Sequence, residues 1–231
     1  MNAVLIVAFA LGMRHGTDPD HLAAIDGLTR IRPRSTNGVF FALGHGFVVL
    51  LLAVGVGHII AERFSRVGPW TLIVLGAINL WRLLRGAPAV PQGKRPIVAQ
   101  PFLLGVLLAA GFETSSQLAA LILAGRSNTW LTGAAFAAGM ILVDGVDGVL
   151  AASTQRLAVI GQESAQIASK LFGILVVVFS FGLGGAELMG IELSHLALPL
   201  GVALFVIVIG IRVWARSNLQ WGASGAGAPN E

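Results

Sequence analysis

Long apolar runs separated by short polar segments dominate the chain. A helix that crosses a bilayer needs about 20 mostly apolar residues. Seven segments approach that length, at 3–29, 37–61, 68–84, 100–124, 129–152, 170–187 and 195–214. The first contains several polar residues and a proline. The pattern therefore predicts an all-α fold, a polytopic transmembrane helix bundle of about seven spans whose first helix is broken near Pro19.

The apolar pattern also predicts how the chain is organised. Residues 1–221 form a single transmembrane domain, and 222–231, which is rich in Gly, Ala and Pro, is expected to be disordered. A Pro-rich linker at 86–96 separates three predicted spans from four. This division favours half-repeats at 1–85 and 98–187 in a 3+3 inverted arrangement. The sequence similarity between the halves is short, so coincidence is the alternative.

Composition supports a membrane setting. Charged residues make up 11% of the chain, hydrophobic residues 55%, and the mean hydropathy is +0.82, which a water-soluble domain of this size hides from solvent with difficulty. The absence of Cys excludes disulfides and thiolate metal sites. The net charge of +4 lies in short segments between apolar runs, and this distribution argues against a nucleic acid partner.

The Lys and Arg residues are distributed unequally between the two sides of the predicted bundle. Cytoplasmic segments of membrane proteins accumulate positive charge. Arg14 lies within the first span, and three basic residues fall on one side: Arg63, Arg66 and Arg126. Eleven fall on the other: Arg30, Arg32, Arg34, Arg82, Arg85, Lys94, Arg95, Arg156, Lys170, Arg212 and Arg216. The count predicts a cell membrane protein with its N-terminus outside and its C-terminus in the cytoplasm.

The first predicted span holds an unusual density of ionisable residues, in RHGTDPDHLAAID. Because such groups are costly within lipid, they usually face the bundle interior or a cavity. Pro19 predicts a break, with Asp18 as the N-cap of the second half-helix. The break is expected to free carbonyls that suit a cation and to let the His and Asp side chains converge on one ion. A buried salt-bridge network with Arg14 that only locks helices together is the alternative.

Polar residues on other spans fall at a similar depth. His45 lies between two glycines in LGHGFVV, Glu113 lies in GFETSSQ, and GMILVDGVDG places Asp144 and Asp147 on one helix face. At 1.5 Å per residue, His15, His45, Glu113 and Asp144 each fall within roughly 6 Å of the middle of their spans. A shared depth is what one central ion site requires. Imidazole and carboxylate ligands suit nickel, cobalt, zinc or manganese.

These motifs resemble the nickel/cobalt transporter family of prokaryotic and fungal membrane permeases. The family's H-x4-D-H helix reads His15-Gly-Thr-Asp-Pro-Asp20-His21 here, and the LGH, GFD-type and GM-x3-D-x2-DG motifs follow in the same order. The resemblance implies a metal site that, together with the N-cap carboxylate, consists of His15, Asp18, Asp20, His21 and His45. It implies a transport path or selectivity region that contains Glu113, Thr114, Gln117, Asp144 and Asp147.

The sequence also departs from the family pattern. Typical members have eight spans, and this chain is expected to lack the first. Glu113 stands where the family usually has Asp, and Gln117 stands where it often has Glu. The Gly-Thr-Asp-Pro core of the first motif also differs from the usual residues. These departures leave the preferred metal and the direction of transport open.

The predicted function is secondary transport of a divalent transition-metal ion, most simply Ni²⁺ or Co²⁺, which is a substrate and not a cofactor. No GxxxxGK[ST] phosphate loop occurs, so ATP use is not expected. Three alternatives remain: a membrane acyltransferase that uses His15 and Asp20 as its H-x4-D pair, a sensor or structural subunit that binds metal without moving it, and a metal exporter. Only the acyltransferase is an enzyme, and oligomeric state is left open.

Overall fold

The computed structural model describes residues 2–54, 66–86, 100–111, 125, 128–191 and 193–225. All regular secondary structure within these ranges is α-helical, as predicted. The helices are α1 Asn2–His15, α2 Pro19–Ile31, α3 Asn37–Ala53, α4 Val67–Arg85, α5 Pro101–Ala109, α6 Thr129–Val159, α7 Glu163–Leu188 and α8 Ser194–Gly225.

Four of these helices, α4, α6, α7 and α8, are long and apolar enough to cross a bilayer. The first predicted span is divided into α1 and α2, which at 14 and 13 residues are each about 20 Å long and too short to cross alone. The second and fourth predicted spans begin as α3 and α5, which end at Ala53 and Ala109, and the later parts of both predicted spans lie outside the described residues. The fold is therefore a polytopic helical bundle, as the apolar pattern predicted.

Three helices extend beyond the apolar runs that predicted them. α6 continues past 152 to Val159, α7 begins at Glu163 and not near 170, and α8 includes the first residues of the segment 222–231. An apolar run marks where lipid contact ends, whereas i to i+4 backbone hydrogen bonding continues through polar residues such as Ser153 and Thr154. The division into half-repeats stays a prediction.

Helix α2 lies at the centre of the bundle, in contact with α3, α4, α6, α7 and α8. Of its residues, all except Arg30 are buried. Ile25 and Leu28 pack with Leu72, Leu75 and Leu104 of α4 and α5. On another side, Leu22 packs in a cluster with Phe172 and Leu204 of α7 and α8. A helix that is enclosed in this way can hold polar side chains away from lipid.

Glycines allow the helices around α2 to approach closely. A Cβ on Gly44 of α3 would lie 2.0 Å from the Phe102 carbonyl oxygen of α5. A Cβ on Gly139 of α6 would lie 2.0 Å from the Phe9 carbonyl oxygen of α1. Such contacts are possible only without a side chain, and small residues allow close packing of this kind in membrane bundles. They hold α3 close to α5 and α1 close to α6.

Large apolar side chains cover the outside of the long helices. Val178 of α7, Val206 and Val213 of α8 and Val146 of α6 are all more than half exposed. Exposed apolar surface on this scale marks contact with another apolar phase. Together with the helix lengths, it indicates a multi-pass membrane protein whose outer surface faces lipid.

Candidate metal centre

The helix is interrupted between α1 and α2 at Gly16, Thr17 and Asp18. Asp18 is extended, with φ −64° and ψ 146°, and Pro19 is the first residue of α2, as the proline predicted. The expectation that the break frees carbonyls does not hold for Arg14 and His15, because their carbonyls accept hydrogen bonds from the Thr17 and Asp18 amides at 3.0 and 2.9 Å. The break therefore positions side chains and does not present these two carbonyls to an ion.

Three fully buried imidazoles converge at this break. His15 ends α1, His21 lies in the first turn of α2, and His45 lies in the middle of α3. One nitrogen from each ring can be chosen so that all three lie within 4.8 Å of one another. The Nε2 atoms of His15 and His45 are 2.9 Å apart. Three histidines that are distant in sequence thus point their ring nitrogens into a common space.

Carboxylates lie behind two of the three rings. His15 Nδ1 is 3.0 Å from Asp18 Oδ2, and His21 Nδ1 is 3.0 Å from Asp144 Oδ2 of α6. An ionised carboxylate can only accept a hydrogen bond from the nitrogen that it faces, so these contacts assign the N–H to Nδ1 in both rings. His21 Nε2 then carries a lone pair without a partner among the described residues, and His15 Nε2 faces His45 Nε2 at 2.9 Å. A carboxylate behind an imidazole is the arrangement that orients metal-bound histidines in proteins.

Aromatic rings and glycines enclose the histidines. Phe41 lies edge-on to His21, with ring centroids 5.0 Å apart. The ring centroids of Phe136 and His15 are 5.5 Å apart. Gly16 permits the approach of α6, since a Cβ there would lie 3.1 Å from Asp144 Oδ1. The apolar walls exclude water and strengthen electrostatic interactions within the cluster.

Several polar atoms at the cluster have no hydrogen-bond partner in the described part of the chain. These atoms are His21 Nε2, His45 Nδ1, Asp20 Oδ2 and Asp144 Oδ1. Buried polar atoms are normally paired, and a bound cation is one partner that lone pairs of this kind accept. Asp20 is buried in the first turn of α2 but does not belong to the three-histidine group.

Asp147 occupies different surroundings from Asp144. Its Oδ1 accepts a hydrogen bond from Arg212 Nη1 at 2.6 Å, and Arg212 Nη2 donates to Asp26 Oδ1 at 2.7 Å. All three side chains are buried, and they link α2, α6 and α8. In this conformation Asp147 therefore lies in an ion-paired triad and not beside the histidines.

The triad corrects the sequence interpretation of Arg212. That residue was counted among the basic residues of a cytoplasmic segment, but it is only 2% exposed and lies within α8. Its role was missed because it lies near the end of an apolar run, where positive charges usually reach the interface. The signal that could have identified it is a single Arg within GVALFVIVIGIRVWA.

The predicted site residues are thus divided by the fold. His15, Asp18, His21, His45 and Asp144 come together, Asp20 is buried nearby on α2, and Asp147 pairs with Arg212. Glu113, Thr114 and Gln117 lie outside the described residues.

Comparison with known proteins agrees with the resemblance. A family model described as high-affinity nickel-transport protein matches residues 1–67. The hydrogenase nickel incorporation protein HupN of Bradyrhizobium diazoefficiens is 31% identical, over 95% of this chain and 74% of its own length. A high-affinity nickel transport protein of Cupriavidus necator is 29% identical over 80% of this chain and 69% of its own length.

A cobalt transport protein of Rhodococcus rhodochrous, NhlF, is 50% identical over 54 residues, which are 21% of this chain and 15% of its own length. No solved structure matches. The similarity to HupN extends over nearly the whole chain. The matched family consists of transport proteins and not of enzymes, and this excludes the acyltransferase alternative. The chain belongs to the nickel/cobalt transporter family.

Proposed function

We propose that this protein is a permease that moves Ni²⁺ or Co²⁺ across the membrane, with His15, His21 and His45 as its central ligands. The observation that carries the proposal is the group of three buried imidazoles whose ligand atoms lie within 4.8 Å of one another. The names of the relatives, which are nickel and cobalt transport proteins, support the choice of metals.

The choice of metal rests on the chemistry of the donor groups. Imidazole and carboxylate ligands suit nickel and cobalt, and also zinc or manganese. The Nε2 atoms of His15 and His45 lie 2.9 Å apart, which is hydrogen-bond distance, so an ion that binds both nitrogens replaces this hydrogen bond.

The carboxylates around the histidines compensate the charge of the ion. A divalent cation in a buried site requires nearby negative charge, and Asp18 and Asp144 supply it from behind His15 and His21. Asp20 has a buried oxygen without a partner among the described residues. We assign Asp20 as a further ligand that completes the coordination sphere when the ion is bound.

The ion then leaves the histidines along a path formed by carboxylates. Asp147 lies one helical turn from Asp144 on α6 and is held by Arg212. In the proposed cycle, Arg212 occupies the position that the ion passes through, so exit requires that this ion pair separate. Glu113, Thr114 and Gln117 are assigned to the same path on the sequence motif alone.

The membrane potential supplies the driving force for import. Moving one charge through 100 mV corresponds to about 2.3 kcal/mol, so a divalent ion gains about 4.6 kcal/mol per 100 mV. This gain supports accumulation without ATP. The Lys and Arg distribution favours an N-terminus outside and a C-terminus in the cytoplasm. Export is the alternative direction, and the sign of the potential that accelerates flux distinguishes the two.

Transport of labelled metal by the purified protein tests the proposal. The full chain is reconstituted into vesicles that contain no other protein, a potassium diffusion potential is set, and entry of radiolabelled Ni²⁺ or Co²⁺ is measured. Variants H15A, H21A and H45A are each expected to lower uptake by at least about tenfold, since ligand loss exceeds the effect of losing an outer-shell partner. H195A is the matched control, because His195 is exposed at the start of α8.

Two outcomes would contradict the proposal. Uptake that is equal in H15A, H21A and the unaltered protein would reject the histidine site. Tight metal binding without flux at either sign of the potential would instead support a sensor or structural subunit.

A further inference from the structure

A basic cavity opens between four helices at the end of the bundle opposite the start of α2. It has a volume of about 410 Å³ and is lined by the C-terminal turns of α2, α4 and α6 and the N-terminal turns of α7. Three positively charged side chains line it, Arg30, Arg82 and Lys170. None of the described residues that line the cavity is acidic.

The polar groups of this cavity form a connected but incomplete hydrogen-bond network. Arg30 Nη1 donates to Ser169 Oγ at 2.9 Å, and Ser169 Oγ donates to Gln155 Oε1 at 2.8 Å. Arg82 Nη2 donates to the Arg30 carbonyl oxygen at 3.3 Å. Arg30 Nε and the amide nitrogen of Gln155, a residue only 7% exposed, have no acceptor in the part of the chain described. Two buried donors at this cavity therefore lack an acceptor among the described residues.

Packing against α7 and a hydrogen bond to the Ser169 hydroxyl hold the Arg30 guanidinium in place, and Asp26 attracts it from the same helix. Gly173 of α7 allows it to lie against the helix backbone, since a Cβ there would be 2.7 Å from Arg30 Cζ. The buried carboxylate of Asp26, one turn earlier on α2, is bound to Arg212. Arg30 and Arg82 lie on adjacent helices, and an anion between their guanidinium groups would lower the repulsion between them. The cavity therefore suits a negatively charged ligand.

We propose that this cavity binds a phosphate group, carried either by the headgroup of an anionic lipid or by a small soluble phosphate. Guanidinium groups bind phosphate oxygens through paired hydrogen bonds, and the unpaired amide of Gln155 adds a neutral donor. Basic pockets between membrane helices are recognised sites for anionic lipid headgroups. The volume falls within the range of small-molecule sites and exceeds what one phosphate needs.

The test measures binding of defined phosphates to the purified full-length protein. Short-chain phosphatidylglycerol, short-chain phosphatidylcholine and inorganic phosphate are titrated separately into protein in a neutral detergent. Dissociation constants are obtained from ligand-dependent shifts in the unfolding temperature and from native mass spectrometry. Phosphatidylglycerol is expected to bind and phosphatidylcholine to bind at least tenfold more weakly. Comparable binding of inorganic phosphate would identify a soluble source, and its absence would identify the lipid.

Matched charge variants decide whether binding occurs in this cavity. K170Q removes a charge from an exposed residue and is expected to fold normally, and R30Q removes the central guanidinium. Each is expected to weaken phosphate binding by at least tenfold. R85Q removes a charge from the next turn of α4, outside the cavity, and is expected to leave binding unchanged. Equal affinities in K170Q, R85Q and the unaltered protein, or no phosphate binding at all, would overturn the proposal.

Discussion

His21 and Asp144, which are 123 residues apart, meet with Nδ1 and Oδ2 separated by 3.0 Å, and both side chains are completely buried. This contact joins the central helix α2 to α6. It also fixes the His21 tautomer, so that the Nε2 lone pair faces His15 and His45. An outer-shell carboxylate of this kind raises ligand basicity and orients the ring before the ion arrives.

Substitution of Asp144 should separate these two effects. D144N keeps an oxygen that accepts from the Nδ1–H but removes the charge, whereas D144A removes both. We expect nickel affinity to fall about 10-fold in D144N and about 100-fold in D144A. Isothermal titration of the detergent-solubilised protein measures both affinities.

A nearby position on the same helix provides the control for Asp144. Ser153 of α6 bonds to the backbone carbonyl of Leu150 and lies away from the histidines, so S153A should retain full affinity. An unchanged dissociation constant in D144A would show that Asp144 does not support His21.

The close contact between α1 and α6 predicts a packing requirement for the metal centre. An alanine at Gly139 places its Cβ 2.0 Å from the Phe9 carbonyl oxygen, so α1 must move away from α6 and carry His15 with it. Overpacking of this kind costs about 1–3 kcal/mol. We expect G139A to lower the unfolding temperature and to weaken nickel binding in the same preparations.

Gly182 provides the matched control for Gly139. It also lies within a helix, α7, but a Cβ there meets nothing within 4 Å. G182A should therefore retain metal affinity and gain a few tenths to about 1 kcal/mol of helix stability. Equal behaviour of G139A and G182A would mean that the α1–α6 contact does not constrain the centre.

Local chemistry made the centre largely predictable from sequence. Pro19 cannot donate the hydrogen bond that a continuous helix needs, so the break could be located to within a residue. The cost of His15, His21 and His45 in lipid required them to face inward. The common depth of His15 and His45, which the rise per residue supplies without any knowledge of packing, predicted that these two would meet, and the break at Pro19 predicted that His21 would join them.

The pairing of Asp147 was not predictable in the same way. Asp144 and Asp147 are three residues apart and share a helix face, yet one contacts His21 and the other contacts Arg212. Their different partners depend on where α2 and α8 cross α6, which hydropathy does not encode. Arg212 lies 65 residues beyond Asp147, and only the packed bundle shows that it is buried.

The break at Pro19 should contribute to metal affinity beyond its own contacts. In P19A the backbone of Asp18 is free to become helical, which would draw its carboxylate away from His15 Nδ1. We expect about a tenfold loss of nickel affinity with little change in the unfolding temperature. P101A is the control, because Pro101 occupies the same first-turn position in α5. Equal affinities in the two variants would show that the proline is not required.

The predicted orientation can be tested with introduced cysteines, since the natural sequence has none. H195C and S217C place a thiol at opposite ends of the apolar part of α8, both at exposed positions. If the C-terminus is cytoplasmic, a membrane-impermeant maleimide should label H195C in intact cells and label S217C only after permeabilisation. The reverse pattern would invert the assigned topology.

The triad of Arg212, Asp26 and Asp147 should dominate the stability of the bundle interior. R212M leaves two carboxylates buried without a cation, and the loss of one partner from a buried ion pair costs about 3–5 kcal/mol. R216M is the matched control, because Arg216 is exposed one turn further along α8 and bonds only to Ser153 among the described residues. An exposed pair contributes about 0–1 kcal/mol.

The triple variant R212M/D26N/D147N removes the whole set of charges and should recover most of the stability lost in R212M. Chemical unfolding in detergent, followed by circular dichroism, compares the four proteins. Because the triple variant also lacks Asp147, nickel flux through it shows whether that carboxylate is needed for exit as well as for packing. A loss in R212M no larger than in R216M would mean that Arg212 does not compensate the two buried carboxylates.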